Sequence, residues 1–222
     1  MASKERPKRV KRQGELNDVV LQLSNLESFH GGFAPLSATF SKGDSVRIVA
    51  PKISMATSLL TVLAGVVPPL KGKAVVLGAR CNSVEGRSVI SSFGVTRGPD
   101  WGLTLLDSLL LYQGFVTDPL ERRRRALDVI EELDIGTLTH SRLHELDPRD
   151  RLLFEFACFR VQPAQISVVF GLHDPNEPSA KQRIFDVMAD LRSKGRVLIW
   201  LEPPSYLLGL IDVDIQLQSS PF

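Results

Sequence analysis

The sequence predicts an α/β domain with a largely parallel sheet covered on both faces. Short apolar runs with strand character alternate with amphipathic helical segments along most of the chain. The 222 residues are 43% apolar and 23% charged, which suits one compact core and argues against wholesale disorder. The longest apolar stretches, Ser58 to Val67 and Val197 to Leu201, fall short of the ~20 residues that cross a bilayer. The chain itself is therefore expected to span no membrane.

Each element follows from local pattern. Asp18 to Leu26 carries Val20, Leu21, Leu23 and Leu26 in irregular alternation and reads as a strand that ends at a Gly31-Gly32 turn. Ser45 to Ala50, with Val46, Ile48 and Val49, reads as a short buried strand. Thr57 to Val67 predicts a helix with Leu59, Leu60, Leu63 and Val66 on one face, stopped by Pro68-Pro69. Lys73 to Leu77 is a further strand before Gly78. Leu105 to Phe115 and Pro119 to Leu133 are helical, the second with Leu120, Leu127, Ile130 and Leu133 inward. Arg122 to Arg125 point largely outward, yet four adjacent arginines sweep round that helix. At least one must snorkel or pair, with Glu121, Asp128, Glu131 and Glu132 as nearby partners. Arg149 to Val161 is a third helix, Gln165 to Phe170 a strand, Ser179 to Ser193 a helix, Arg196 to Leu201 a strand, and Asp214 to Leu217 a last strand.

The formal charge of +2 conceals an asymmetry. Lys4, Arg6, Lys8, Arg9, Lys11 and Arg12 against Glu5 put +5 on residues 1–13 and leave −3 on the rest. With Pro7 and one sizeable apolar side chain after Met1, Val10, this segment reads as a flexible basic arm of 13 residues before a domain at 14–222. It is either a solvated tail or a contact for an anionic lipid surface through residues 4–12, where each basic residue contributes about 1 kcal/mol. Nucleic acid would attract the same charge but is not expected as the partner. No apolar segment of a secretory signal follows Met1, and Cys81 and Cys158 lack metal-ligand spacing, so a reducing cytoplasm is expected. His30, His140 and His144 have no partners at metal spacing and are expected at the surface, and no metal site is expected. Trp101 and Trp200 are expected to pack rather than to stack on bases.

The stretch GDSVRIVAPKISMATSLLTVLAGVVPPLKGKAVVLG, Gly43 to Gly78, resembles the opening of an ABC transporter ATPase subunit. GLTLLDSLL, Gly102 to Leu110, is similar to the segment after that family's Q-loop. GRVLIWLEPP, Gly195 to Pro204, is similar to its last strand before the switch histidine. The resemblance covers residues ~19 to ~204. It implies a P-loop NTPase-like core with a mainly parallel sheet, an antiparallel N-terminal β-subdomain, and a helical subdomain at about 100–160. The compact size and the segment from Phe93 to Gly102 are more similar to subunits that export capsule or O-antigen polysaccharide than to importer subunits.

The departures bear on function. The family's phosphate loop uses glycines so that backbone N–H groups close round phosphates, and a lysine to neutralise them. The aligned residues here are Ala50, Pro51, Lys52, Ile53, Ser54, Met55, Ala56, Thr57 and Ser58. Ala56 stands at the lysine position, and Ile53 and Met55 are expected to fill the phosphate space. Thr57 keeps a hydroxyl that could reach Mg²⁺, and Lys52 is four residues too early to replace the charge directly. Phe170 and Gly171 stand where the Walker B Asp and Glu should hold metal and polarise water. His173-Asp174 would serve as a displaced acid pair only through a slip that breaks the match to the following helix. Leu146, Asp147, Pro148, Arg149 and Asp150 stand at the signature, with a carboxylate that repels phosphate. The Q-loop glutamine falls near Arg97 or Gly98, and the switch histidine near Glu202 or Pro203. Tyr112 and Gln113 lie where the resemblance implies a face toward the permease.

Phosphoryl transfer needs the lysine, the metal-holding acid and the signature donors together. The expectation is a catalytically inactive subunit that docks on a membrane export permease, cytoplasmic and peripheral at the inner face of the membrane. It would sit beside an active ATPase paralogue or a second copy of itself, with no cofactor of its own. Two alternatives stay open: a peripheral adaptor unrelated to transport, and an ATPase that binds ATP and Mg²⁺ unconventionally through Lys52 and Thr57.

Overall fold

The structure, a computed structural model, describes residues 18–28, 33–94, 102–172, 175 and 177–219. In chain order its regular elements begin with strands β1 (Val19–Glu27), β2 (Leu36–Ser41) and β3 (Ser45–Val49), then helix α1 (Ile53–Leu63). Strands β4 (Lys71–Val76) and β5 (Ala79–Arg80), the short helix α2 (Val84–Ser88) and strand β6 (Ile90–Phe93) follow. Three helices come next, α3 (Leu105–Leu111), α4 (Pro119–Glu132) and α5 (Pro148–Arg160). Strand β7 (Ile166–Phe170), helix α6 (Pro178–Ser193), strand β8 (Val197–Leu201) and strand β9 (Val213–Gln216) complete the series.

Two sheets form. One is antiparallel with strand order β2-β1-β4-β5, and β1 pairs Leu21 with Phe40 on one side and with Val76 on the other. The other has order β6-β7-β8-β3-β9, and every pairing in it is parallel. A parallel sheet needs cover on both faces, and the central strand β8 meets that condition, since all five of its residues are buried. Its side chains alternate between two apolar clusters. Leu198 and Trp200 join the one built by α3 to α6, while Val197, Ile199 and Leu201 join the one beneath α1 and the antiparallel sheet. In the first cluster Phe93 stands edge-on to Phe156 and Phe159, with ring centroids 6.5 and 6.0 Å away. Polar groups inside the sheet find partners: Trp200 Nε1 donates to Ser45 Oγ at 2.8 Å, and the Ser91 and Ser167 hydroxyls share a hydrogen bond of 2.9 Å.

Several boundaries differ from the sequence expectation for identifiable reasons. The helix expected from Thr57 to Val67 runs from Ile53 to Leu63. Its end is set by Gly65 rather than by Pro68-Pro69. Gly65 adopts φ +71°, its N–H donates to Val62 O at 3.0 Å, and Val66 N–H reaches back to Thr61 O at 2.9 Å. A Cβ at Gly65 would lie 2.2 Å from Cys81 O, so glycine is required there on two counts. Val66, expected inward, is exposed beyond that turn. Helix α3 ends at Leu111, because the buried Gln113 folds under it and donates from Nε2 to Leu109 O at 3.1 Å and to Arg122 O at 2.9 Å.

The inward face of α4 is rotated from expectation. Ala126, Val129, Ile130 and Leu133 are buried, whereas Leu127 is exposed and Leu120 is 79% exposed. The arginine run divides as its geometry requires. Arg124 pairs outward with Glu121 and Asp128, while Arg122 and Arg125 bend inward to the carbonyls of Val116 and Val161. Strands β2 and β6 have no counterpart in the expectation. Among the described residues no helix is long and apolar enough to cross a membrane. Residues 1–13, the Gly31-Gly32 turn, His30, Arg97, Gly98, Trp101 and His173-Asp174 lie outside the described residues.

Candidate functional site

A sheet in which all strands are parallel places every strand C-terminus on one edge, and ligands of such folds bind in the crevice beyond that edge. Ala50 to Ser58 follow β3, Gly94 follows β6, Phe170 and Gly171 close β7, and Glu202 follows β8. The fold thus brings together the residues that the sequence resemblance aligns with the phosphate loop, Walker B and the switch. The signature-like segment Leu146 to Asp150 lies apart, at the start of α5, and is tied toward this edge by an ion pair between Arg149 and Glu177 just before α6.

The connection from β3 to α1 is three residues long, Ala50 to Lys52. Lys52 is the N-cap, with extended backbone and no side-chain cap, and its carbonyl accepts Met55 N–H at 3.0 Å. Residues 53–55 are therefore wound into helix and do not form a loop whose amides converge on a ligand. Ile53 is exposed at the mouth of this edge. Met55, in contrast, is not there: it points into the apolar cluster under α1, which corrects the expectation that it fills phosphate space. Ala56 faces the same cluster and is completely buried. The Thr57 hydroxyl donates back to Ile53 O at 3.0 Å or to Ser54 O at 3.2 Å, so it is committed to its own helix rather than offered to a metal. Ser58 shares a hydrogen bond of 2.5 Å with Ser28, Pro51 and Ser54 are exposed, and Ala50 packs on the edge of the cluster.

At the end of β7 the Phe170 ring packs half-buried against the cluster, and Gly171 takes φ +67°. Gly94 belongs to this edge too. It has φ +69°, and a Cβ on it would sit 1.9 Å from Phe170 O, so the ends of β6 and β7 touch through backbone. The sequence offered only an isolated glycine after Phe93 as a signal for this contact. Glu202 is exposed, with a left-handed φ of +51°, a conformation that disfavours side chains and recurs at functional turns.

In the signature-like segment Asp147 is the N-cap of α5. Its Oδ1 accepts Asp150 N–H at 2.8 Å, and Pro148 occupies the first helical position. The helix start is thus satisfied internally by a carboxylate, Arg149 is held by Glu177, and Leu146 packs half-buried against the larger cluster. Pro203 is half-buried beside Glu202.

Other expected residues fall as follows. His140 and His144 are exposed, and Trp200 is a core residue. Gln113 is fully buried and cannot face a partner, because its side chain is needed to tie α3 to α4; Tyr112 is half-buried. The α3–α4 corner exposes the apolar side chains Leu111 at 61%, Phe115 at 55%, and Leu120, beside the exposed Thr117 and Asp118. Burial raises the Cys81 thiol to about 12 and pushes Cys158 up as well, so neither cysteine is a nucleophile at neutral pH. Among the described residues no group of three or more His, Cys, Asp or Glu is placed to hold a metal.

No protein-family model matches the sequence. Two curated proteins, each described as "Probable multidrug ABC transporter ATP-binding protein YbhF", from Escherichia coli (strain K12) and Shigella flexneri, are 24% identical to it over 196 residues. The match takes in 83% of this chain and 33% of each relative, so the chain spans about a third of their length. Among solved structures, an ATP binding subunit of an ABC transporter superposes with a TM-score of 0.79 at 14% identity, over 90% of this chain and 87% of that one. A dimeric ATP-binding cassette in a post-hydrolysis state, bound to ADP and Pi, gives 0.77 at 14% identity, over 90% and 95%. A nucleotide-free cassette from an ABC transporter gives 0.73 at 18% identity, over 91% and 88%. Parallel core, antiparallel β-sheet and inserted helices all coincide, and the chain has the fold of the ATP-binding cassettes of ABC transporters.

Proposed function

We propose that this chain is a catalytically silent cassette subunit that docks on a membrane permease beside an ATP-binding partner and contributes shape and contacts rather than phosphoryl transfer. The observation that carries this reading is the side-chain inventory of the strand-end edge. Where phosphoryl transfer needs a cation, a metal-holding carboxylate and a group to polarise water, the edge has Ala56 turned into the core, Phe170 and Gly171. The commitment of the Thr57 hydroxyl to its own helix argues in the same direction, and against unconventional ATP binding through Lys52 and Thr57.

The exposed apolar side chains Leu111, Phe115 and Leu120 at the α3–α4 corner support docking, since apolar surface left in water favours a partner that covers it. In this reading the chain is peripheral at the inner face of the membrane, with the basic residues 4–12 adding lipid contact. The relatives are described as multidrug components and the sequence resemblance points to polysaccharide; transport is the element common to both.

Titration calorimetry with ATP and Mg²⁺ tests the silent site. Absent or millimolar binding with no phosphate release supports the proposal, and micromolar binding or turnover overturns it. For docking, Phe115→Glu should abolish copurification with the permease from native membranes while leaving the melting temperature unchanged. Retained copurification would remove that corner from the interface.

A further inference from the structure

The opposite edge of the parallel sheet, where β7 and β8 begin, holds a cleft of about 310 Å³. It lies roughly 16 Å from the candidate nucleotide edge, the length of a five-residue strand. Four cations line it: Arg125 from α4, Arg160 from the last turn of α5, and Lys194 and Arg196 from the turn between α6 and β8.

Two of these cations already have acids. Arg160 Nε lies 3.0 Å from Glu132, and Lys194 Nζ donates to Asp190 at 2.6 Å. The lining acid, Asp128, is engaged by Arg124 at 3.0 Å. Arg125 and Arg196 have only neutral acceptors. Arg125 donates to Val161 O at 3.2 Å and leaves its buried Nε without a partner. Arg196, only 8% exposed, reaches Ser167 Oγ at 3.3 Å and Gln162 O at 3.4 Å. These bonds are long for a charged donor. By contrast, Arg183 meets Asp134 at 3.3 Å and Arg192 meets Asp212 at 2.5 Å.

The C-terminal ends of α5 and α6 point at the cleft and supply about −0.5 charge each. Together they offset about one of the two unpaired guanidinium charges. Burial, with Arg160 and Arg125 nearby, lowers Arg196 to about 9 against the opposing pull of Asp190 and Glu132, and burial, with Arg160 and Arg124 nearby, lowers Arg125 against that of Glu121 and Asp128. Leaving a buried guanidinium without a counter-charge is costly, and a bound anion removes that cost. Guanidinium forks match phosphate oxygens, and a singly charged phosphate group answers the roughly one positive charge that remains.

We infer that this cleft binds a small phosphate-bearing anion, gripped by Arg125 and Arg196 with Arg160 and Lys194 at its rim. The site is independent of whether the opposite edge binds nucleotide.

The test is thermal unfolding of the full chain against inorganic phosphate and pyrophosphate, with sodium chloride at equal ionic strength as reference. A saturable rise in melting temperature is expected with the phosphates alone. Arg196→Met and Arg125→Met should each weaken it at least about tenfold, and Lys52→Ala should leave it intact. Because Arg196→Met removes a buried charge and alters basal stability, an amide chemical-shift titration of the wild-type chain is the second readout. Shifts should concentrate at Gln165 and Arg196 and spare Lys52 and Gly171. Vesicles containing phosphatidic acid separate a lipid headgroup from free phosphate, and the recessed Arg196 predicts no response to them. The inference is overturned by a response no larger than that to chloride, by retention in both arginine variants, by loss in Lys52→Ala, or by binding to vesicles alone.

Discussion

Placing a lysine at position 56, which the sequence resemblance aligns with the family's phosphate-binding lysine, is the sharpest perturbation of this structure, and it should fail to give a phosphate site. Ala56 is completely buried in the cluster with Met55, Leu59 and Leu60. In Ala56→Lys the ammonium either loses its proton or drags its stem to the surface. Deprotonation at pH 7 of a group whose ordinary value is about 10.4 costs about 4–5 kcal/mol. The alternative is overpacking of the α1 face, about 1–3 kcal/mol, with the head emerging near the exposed Lys52. The cheaper route prevails, so a loss of about 1–3 kcal/mol is expected in urea unfolding, read as a lower midpoint at unchanged slope.

The sign with pH discriminates the two routes. If the lysine is buried, its folded value lies below its unfolded value, and the unfolded chain binds more protons between them. The deficit against wild type then shrinks as pH rises from 7 toward about 10.4. A snorkelled lysine gives a pH-independent deficit. An Ala56→Lys chain within about 1 kcal/mol of wild type, or one that gains ATP affinity, would refute the core-facing placement of this residue.

Three further outcomes are expected. Gly65→Ala should cost about 2–4 kcal/mol and lower the melting temperature by several degrees, since it combines a left-handed backbone with a Cβ 2.2 Å from Cys81 O. Asp147→Ala removes the cap of α5 and should cost about 1 kcal/mol in chemical unfolding, whereas Asp147→Ser should cost much less. Hydrogen bonding to Arg47 across β3 and β9 lowers the Asp214 carboxyl from its ordinary 3.8. Its stabilisation is therefore present above that value and lost as pH falls through the folded value, and Asp214→Asn should flatten the acid limb of the stability curve by lowering neutral stability while leaving stability below the folded value little changed.

The sequence was most legible where burial dictates pattern. Val197 to Leu201 and Ile166 to Phe170 are continuous apolar runs, and only a doubly covered strand has use for them. Ile90 to Phe93 was missed because its centre is Ser91-Ser92, and Ser91 is tolerable inside through its bonds to Ser167 Oγ and Ile166 O, partners 76 and 75 positions away. Leu36 to Ser41 alternates Leu36, Ala38 and Phe40, a weak signal that pairing with β1 completes. At the site, residue types were readable but directions were not. Met55 and Thr57 look available in the sequence; the start of α1 at Ile53 turns one into the core and the other onto its own carbonyls. Gln113 looked like an exposed polar residue, and nothing local indicates that it spans two helices.

The alternation along β8 has a consequence for how the molecule comes apart. Neighbouring residues of this one strand are anchored in different halves of the interior, so neither half can loosen without exposing its share of β8. Amide protons of Leu198 to Trp200 should exchange with solvent only through whole-molecule opening, at rates that report global stability. Those of the α3–α4 corner should exchange by local fraying. The strand thus acts as a fuse between the helical side and the β-rich side, which makes its protection factor a single readout of whether both are intact.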